Sequence, residues 1–145
     1  MAKTLVVFAS RIGTTRRIAE LIAEGIRSIG PEATVVPAAT IKREADLAGY
    51  DAYVFGSATY HGDMMQPMKT LLFLADKAQL GGKLGGAFGA FGWSGEAAGR
   101  IFDTMKNVFN MTIVSQPLRL KSAAGEGGAE VARKYGREIG EKLKR

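Results

Sequence analysis

The chain is 145 residues long, has no cysteine and one histidine, and carries 20 Lys plus Arg against 14 Asp plus Glu, a formal charge of +6. With 46% hydrophobic and 23% charged residues it has the composition of one folded domain with a sizeable core, not that of a disordered chain. The absence of cysteine excludes disulfides, thiolate metal sites and cysteine nucleophiles, and His61 alone builds neither a multi-histidine metal centre nor a triad with a histidine to spare.

Taken in chain order, strands and helices alternate. Leu5-Val6-Val7-Phe8, ending at Ser10, predicts a strand buried on both faces. From Thr14 the apolar residues Ile18, Leu21, Ile22, Ile26 and Ile29 recur at helical steps, and Gly30-Pro31 stops the helix. Residues 33–37 read as a short strand and 41–47 as a short helix or loop. Ala52-Tyr53-Val54-Phe55 is a second buried strand, ending at Gly56-Ser57. A helix over 66–78 carries Met68, Leu71, Leu72 and Ala75, and the Gly81-Gly82 turn leads into a glycine-rich strand over 84–91. A helix from about Gly95 places Ile101, Phe102, Met105, Val108 and Phe109 on one face, and 111–114 gives another strand. Residues 123–128 form a small connection to a last helix, about 129–143, with Val131, Tyr135, Ile139 and Leu143 at four-residue steps. No repeat and no long linker divides the chain. No apolar run reaches the ~18 residues of a membrane span, and the first strand is too short for a signal h-region. The expectation is a cytoplasmic protein without membrane association.

Five strands alternating with helices predict an α/β domain, an open parallel sheet with helices on both faces. Ligands of such sheets sit beyond the carboxyl ends of the strands, where the strand order reverses. The segments after the first, third and fourth strands are therefore the candidate site.

The first, Ser10-Arg11-Ile12-Gly13-Thr14-Thr15, joins a buried strand to a helix start. Its hydroxyls and the unpaired amides of the helix N-terminus could hold a phosphate while Gly13 lets the backbone turn tightly; the plainer alternative is a capped helix start. Neither a Walker A loop nor Gly-x-Gly-x-x-Gly occurs in the chain. The second, Ser57-Ala58-Thr59-Tyr60-His61-Gly62-Asp63, offers an aromatic ring that could cover a planar ligand and a glycine able to adopt positive φ. Alternatively Tyr60 packs on its neighbours, and His61 is read as a positioning or solvated residue in preference to a catalytic acid. The third, Gly89-Ala90-Phe91-Gly92-Trp93-Ser94-Gly95, sets the only tryptophan among glycines, either as a second flat wall for the same ligand or as a lid. A phosphate cradle without charged acceptors and two aromatic-bearing loops describe a site for flavin mononucleotide, FMN.

Two other classes are weighed and set aside. The positive charge invites nucleic acid, but acidic residues are interspersed with the basic ones and no nucleic-acid motif occurs. A phospho-receiver domain needs an acidic pocket at its strand ends, where this chain has Ala9-Ser10 and Gly56-Ser57.

The segments Ser10-x-x-Gly13-x-Thr15, Gly56-Ser57-x-Thr59-Tyr60 and Phe88-Gly89-x-Phe91-Gly92-Trp93-Ser94-Gly95-Glu96-Ala97 resemble those of flavodoxins, more closely those of the flavodoxin domain of A-type flavoproteins, the flavodiiron proteins. Tyr135-Gly136-x-Glu138-Ile139 adds to the likeness, which spans essentially residues 1–145 as one domain. The resemblance implies a five-stranded parallel sheet of order 2-1-3-4-5 and bound FMN. It places the phosphate on Ser10, Arg11, Ile12, Gly13, Thr14 and Thr15. Ala58, Thr59, Tyr60, His61 and Gly62 would run beside the flavin N5 edge and one ring face, with Ala90, Phe91, Gly92 and Trp93 on the other side. Backbone amides would bond the ring's polar edge, and no side chain need be catalytic.

Flavodiiron proteins reduce oxygen or nitric oxide at a histidine- and carboxylate-bound iron pair in a separate domain, which the single His61 of this sequence could not replace. The expectation is an electron carrier that passes electrons between redox partners, an acidic rubredoxin or ferredoxin type or a separate flavodiiron-like protein. The alternative is an FMN-dependent NAD(P)H oxidoreductase acting on a quinone or similar small acceptor, although its relatives are usually longer. The positive charge, with Arg11, Arg16 and Arg17 beside the proposed phosphate loop, would steer acidic partners at a rate that falls with salt. Arg133, Lys134, Arg137, Lys142, Lys144 and Arg145 read as a solvated face of the last helix. Positive charge also stabilises an anionic reduced flavin. The second reduction potential should therefore lie above that of an acidic flavodoxin, which a redox titration checks.

Overall fold

Alternate residues of the first strand go to opposite cores. Leu5, Val7 and Ala9 pack into one apolar cluster while Val6 and Phe8 pack into another, the pattern of a strand covered on both faces. In this computed structural model the described residues are 2–10, 13–91, 95–121 and 126–144, the side chains of Tyr60 and Glu126 excepted. The chain order is β1 (Lys3–Ala9), α1 (Thr14–Ile29), β2 (Glu32–Pro37), β3 (Ala52–Tyr60), β4 (Asp63–Met64), α2 (Gln66–Ala78), β5 (Leu84–Ala90), α3 (Glu96–Asp103), β6 (Thr112–Ile113), β7 (Leu118–Leu120) and α4 (Glu126–Leu143). Two 3₁₀ turns, Ala38–Thr40 and Glu44–Leu47, link β2 to β3.

The sheet runs β2-β1-β3-β5-β6 with all these neighbours parallel. Counted over the five principal strands, that is the order 2-1-3-4-5. Helices α1 and α4 cover the face bearing Val6, Val54 and Phe88, and α2 and α3 cover the face bearing Leu5, Phe55 and Ala87. The buried residues of α1 include Ile18, Leu21, Ile22 and Ile26, the expected helical stripe. α1 and α4 meet backbone to backbone. A Cβ on Gly25 would lie 2.1 Å from the Arg133 carbonyl oxygen, and one on Gly136 2.0 Å from that of Ile22.

Several boundaries depart from the sequence reading. β3 does not end at Gly56-Ser57 but continues to Tyr60, because β5 stays in register beside it as far as Ala58↔Ala90 and β4 folds back on its end. α3 passes at Asp103 into a π-helical turn, Thr104–Val108, closed by the Phe109 N–H on the Thr104 carbonyl at 3.0 Å. The wider winding breaks the single face expected there, leaving Met105 and Phe109 buried and Val108 59% exposed. α4 already begins at Glu126, within the connection expected over 123–128, and Val131 lies on its exposed side. The basic residues of α4 are not all free in solvent. Arg133 and Arg17 share Glu24 at 3.4 and 3.8 Å, and Arg137 pairs with Glu130.

The fifth strand is split. β6 pairs with the start of β5 (Leu84↔Thr112) and β7 with its end (Phe88↔Leu118). Between them Ser115 adopts φ 61° and Pro117 has no N–H, so the ladder stops. The gap falls opposite Ala87, and Tyr135 fills it. The Tyr135 hydroxyl accepts from the Ala87 N–H at 3.0 Å and donates to the Ala87 carbonyl at 3.2 Å. Burial pushes this hydroxyl far above its ordinary pKa, so it remains a donor. Gly86 makes room, since a Cβ there would lie 2.5 Å from the hydroxyl oxygen. Replacing Tyr135 by Phe orphans two buried backbone groups and should lower stability by about 1–3 kcal/mol with secondary structure intact, as urea titration followed by circular dichroism would read.

Candidate functional site

Register alone assembles the site. Ala9 lies beside Ser57, Ala58 beside Ala90, and Ala90 beside Leu120, so β1, β3, β5 and β7 all finish at one edge. The order reverses between β1 and β3: β1 leads out to β2 on one side, while β3 lies on its other side. The crevice beyond that point is where such sheets take ligands.

The first segment is a tight turn into α1. The Gly13 N–H donates to Ser10 Oγ at 2.9 Å, and Gly13 stands at φ 93° with nothing within 4 Å of where a Cβ would be. No side chain caps α1 and its first turn holds no acidic residue, so the positive end of the helix faces the crevice uncompensated. Thr14 is half-buried. Thr15 is 1% exposed and its Oγ1 has no hydrogen-bond partner. Among the described residues the other buried hydroxyl in that condition, Thr4, sits at the far, amino end of β1. Arg11 and Ile12 lie outside the described residues. Arg16 and Arg17 pair with Glu20 at 3.6 Å and Glu24 at 3.8 Å, which tempers the positive charge expected beside this turn.

The second segment is a β-hairpin where a surface loop was expected. Tyr60 pairs with Asp63 and Thr59 with Met64, and the two residues between stand at φ 50° (His61) and 74° (Gly62), both positive as a type I′ turn requires. Ala58 and Thr59 are half-buried and His61 is exposed. Asp63 ties the hairpin to two helices. Its carboxylate meets Lys69 Nζ of α2 at 2.8 Å and Arg100 Nε of α3 at 3.7 Å, and accepts from the Met64 N–H at 2.7 Å. The Lys69 contact, then the Met64 amide, holds the Asp63 carboxyl below its ordinary range. Ser57 Oγ donates to the Ala58 carbonyl and accepts from the Met65 N–H, each at 2.9 Å, pinning the other end of the hairpin.

The third segment brings α3 down onto the sheet. Gly89 permits it, since a Cβ there would lie 3.0 Å from the Ser57 carbonyl and 3.2 Å from the Ala98 nitrogen. Thr59 Oγ1 accepts from the Ala97 N–H at 3.2 Å, and Glu96 Oε2 would lie 3.4 Å from a Cβ on Gly62, so the start of α3 abuts the hairpin. Ala90 is buried, and the Phe91 N–H donates to the Leu120 carbonyl at 3.2 Å. Arg119 Nε donates to the Gly95 carbonyl at 3.1 Å, fastening the far end of the segment to β7. Gly92, Trp93 and the ring of Tyr60 lie outside what is described.

The structure thus brings Ser10, Gly13, Thr14, Thr15, Ala58, Thr59, the backbone of Tyr60, His61, Gly62, Ala90 and Phe91 to one end of the sheet. Sequence reasoning missed Asp63 as the tether and Arg119 as the clamp. The first had only a weak signal, Gly62 directly after the β-formers Thr59 and Tyr60; the second depends on strand pairing that no local pattern carries. Asp63 holds the hairpin only while ionised, and its folded pKa lies below the ordinary value of 3.8. The tether should therefore be intact above that value and fade as pH falls through the lower, folded one. NMR order parameters of residues 61–64 should drop on acidification, and Asp63→Asn should lower them at neutral pH.

Residues 6–136 match the family described as Flavodoxin. The fold superimposes on a flavodoxin from the domain Archaea with a TM-score of 0.92, at 31% identity, covering 99% of both chains. A type A flavoprotein of Rhodobacter capsulatus is 31% identical over 97% of this chain and 33% of its own length. An NAD(P)H dehydrogenase (quinone) of Cupriavidus metallidurans is 33% identical over 81% of this chain and 72% of its own. The chain spans 21% to 33% of the diflavin and type A flavoproteins it matches. With a sheet of this order, a candidate site at its switch point and a family match over nearly its whole length, the chain belongs to the flavodoxin family of flavoproteins.

Proposed function

We propose that this chain binds FMN and serves as an electron carrier between redox partners. The observation that carries the reading is the phosphate end of the site. A buried, unpaired Thr15 hydroxyl, the Ser10–Gly13 turn and the uncapped, acid-free start of α1 converge there. An unsatisfied buried hydroxyl costs about 1–3 kcal/mol, which an anion accepting from it would relieve. The residues present therefore fit the terminal phosphate of FMN. When bound, FMN supplies one- and two-electron redox chemistry, for which the protein need contribute only binding and tuning.

The remaining residues have holding roles. Ser10, Thr14, Thr15 and the backbone of 11–13 would take the phosphate. Ala58, Thr59, Tyr60, His61 and Gly62 would border the ring on the hairpin side, and Ala90, Phe91, Gly92 and Trp93 on the other. Asp63 and Arg119 position those two walls through their contacts with Lys69, Arg100 and the Gly95 carbonyl. The superposition on an archaeal flavodoxin, with a TM-score of 0.92 over 99% of both chains, supports a carrier. The charge of +6 favours an acidic partner, of the rubredoxin or ferredoxin type or a separate flavodiiron-like protein. The similarity to an NAD(P)H dehydrogenase (quinone) favours a second reading, an FMN-dependent oxidoreductase.

The test is absorbance after addition of FMN and desalting. Bands near ~370 and ~450 nm should survive, and Thr15→Val should weaken FMN binding about 10-fold or more, the loss of one hydrogen bond to a charged group. Bleaching by dithionite but not by NADPH is the expected outcome; bleaching by NADPH selects the oxidoreductase. A protein that stays colourless overturns both.

A further inference from the structure

The charges around the strand-end crevice are not spread evenly over its three walls. On the hairpin wall Asp63 meets Lys69 and Arg100, and Glu96 Oε2 stands beside Gly62, so two anions face two cations. At the start of α1, Arg16 and Arg17 are paired with Glu20 and Glu24. On the third wall stand Arg119 and, just past β7, the exposed Lys121. Arg119 is fixed in place. It lies opposite Gly89 in the strand ladder, its Nε donates to the Gly95 carbonyl at 3.1 Å, and its side chain crosses two glycines one helical turn apart. A Cβ on Gly95 would fall 2.9 Å from its Cδ, and one on Gly99 2.7 Å from its Nη2. From this placement we infer that Arg119 sets the reduction potential of the site, its fixed cation stabilising bound flavin in the reduced, anionic form.

The inference rests on the FMN reading and deepens it. In the second of the two one-electron steps the redox partner supplies an electron without a proton, so the ring gains a full negative charge. Gly92 and Trp93, which that reading sets against the ring, belong to the segment whose far end Arg119 fastens. A cation held there attracts the anionic ring and leaves the neutral, oxidised ring nearly unaffected. Fixity matters as much as sign. A guanidinium is a planar, weakly hydrated cation, and one already laid on backbone need not reorganise when the electron arrives. The two glycines have a reason in this arrangement, since a side chain at either position would displace the guanidinium. Arg119 is itself exposed, so solvent screens its charge and the effect is modest. The raised potential expected from Arg11, Arg16 and Arg17 is thereby assigned to a residue of the last strand, because Arg16 and Arg17 are paired with carboxylates.

The test is a redox titration of the FMN-loaded chain at mildly alkaline pH, where the reduced ring stays anionic, with FMN affinity measured in the oxidised state. In Arg119→Gln the amide nitrogen stands where Nε stood, so the bond to Gly95 is kept while the charge is lost. The second potential should fall by ~30 mV, about a 3-fold change in a one-electron equilibrium, with circular dichroism and oxidised-state affinity unchanged. Arg119→Lys keeps a cation and should hold the potential near the wild-type value. Lys83→Gln makes the same change of net charge beside the amino end of β5, far from the crevice, and should leave the potential where it is. Added salt should narrow the gap between wild type and Arg119→Gln. An unmoved potential in Arg119→Gln overturns the inference, as does an equal fall in Arg119→Lys or in Lys83→Gln. A wild type that stays colourless overturns the FMN reading and this inference with it; a coloured one whose potential ignores Arg119 overturns this inference alone.

Discussion

A parallel sheet covered on both faces has nowhere to place a ligand except at its ends, and everything about this site follows from that constraint. β1, β3 and β5 are each buried front and back by helices, so their side chains are committed to core. What remains available is the edge where the three strands stop together, set by the registers Ala9↔Ser57 and Ala58↔Ala90. Glycine lets the covering layers come close enough to hold that edge rigid. α3 reaches the sheet over Gly89, β3 passes the Phe88 ring at Gly56, and α1 and α4 touch through Gly25 and Gly136. A methyl group at Gly25, Gly56 or Gly136 would fall within 2.4 Å of existing atoms, so the packing admits no side chain there.

On that scaffold the three segments are held by different forces. The turn into α1 is organised by backbone conformation, with Gly13 left-handed and Ser10 Oγ accepting its amide. The hairpin is held electrostatically, through Asp63 between Lys69 and Arg100. The segment before α3 is clipped to the last strand by the Arg119 side chain on a backbone carbonyl. Only the second of these rests on a carboxylate, which Lys69 and the Met64 amide hold below its ordinary range, and its contacts are partly exposed, so it is the tether most open to solvent conditions. The positive charge of the chain is likewise softened locally, since four of its arginines are engaged with Glu20, Glu24 and Glu130.

Much of the fold was readable because the signals were local. A run such as Leu5-Val6-Val7-Phe8 fits a strand buried on both sides, and Ile18, Leu21, Ile22 and Ile26 fit a helix with one buried stripe. The loops at the candidate site were readable for the same reason: their glycines, hydroxyls and aromatics sit at fixed offsets from those strands. What went unread was set across the chain. The split of the last strand depends on Tyr135 reaching Ala87, 48 residues away in sequence. Its four-residue spacing with Ile139 marked it as core, and nothing local marked it as a stand-in for a strand. The continuation of β3 to Tyr60 depends on β4 folding back on it, and the exposure of Val108 on a π-helical turn that periodicity at 3.6 residues does not anticipate.

The sequence by itself determined the alternation of strands and helices, the family and the three segments of the candidate site, because each rests on residues near one another along the chain. The tertiary structure decided the rest. It left the Thr15 hydroxyl buried without a partner, set Asp63 between two helices and laid Arg119 across Gly95 and Gly99. Those outcomes depend on which elements pack together, and packing is a property of the whole sheet and its two helical layers rather than of any one segment.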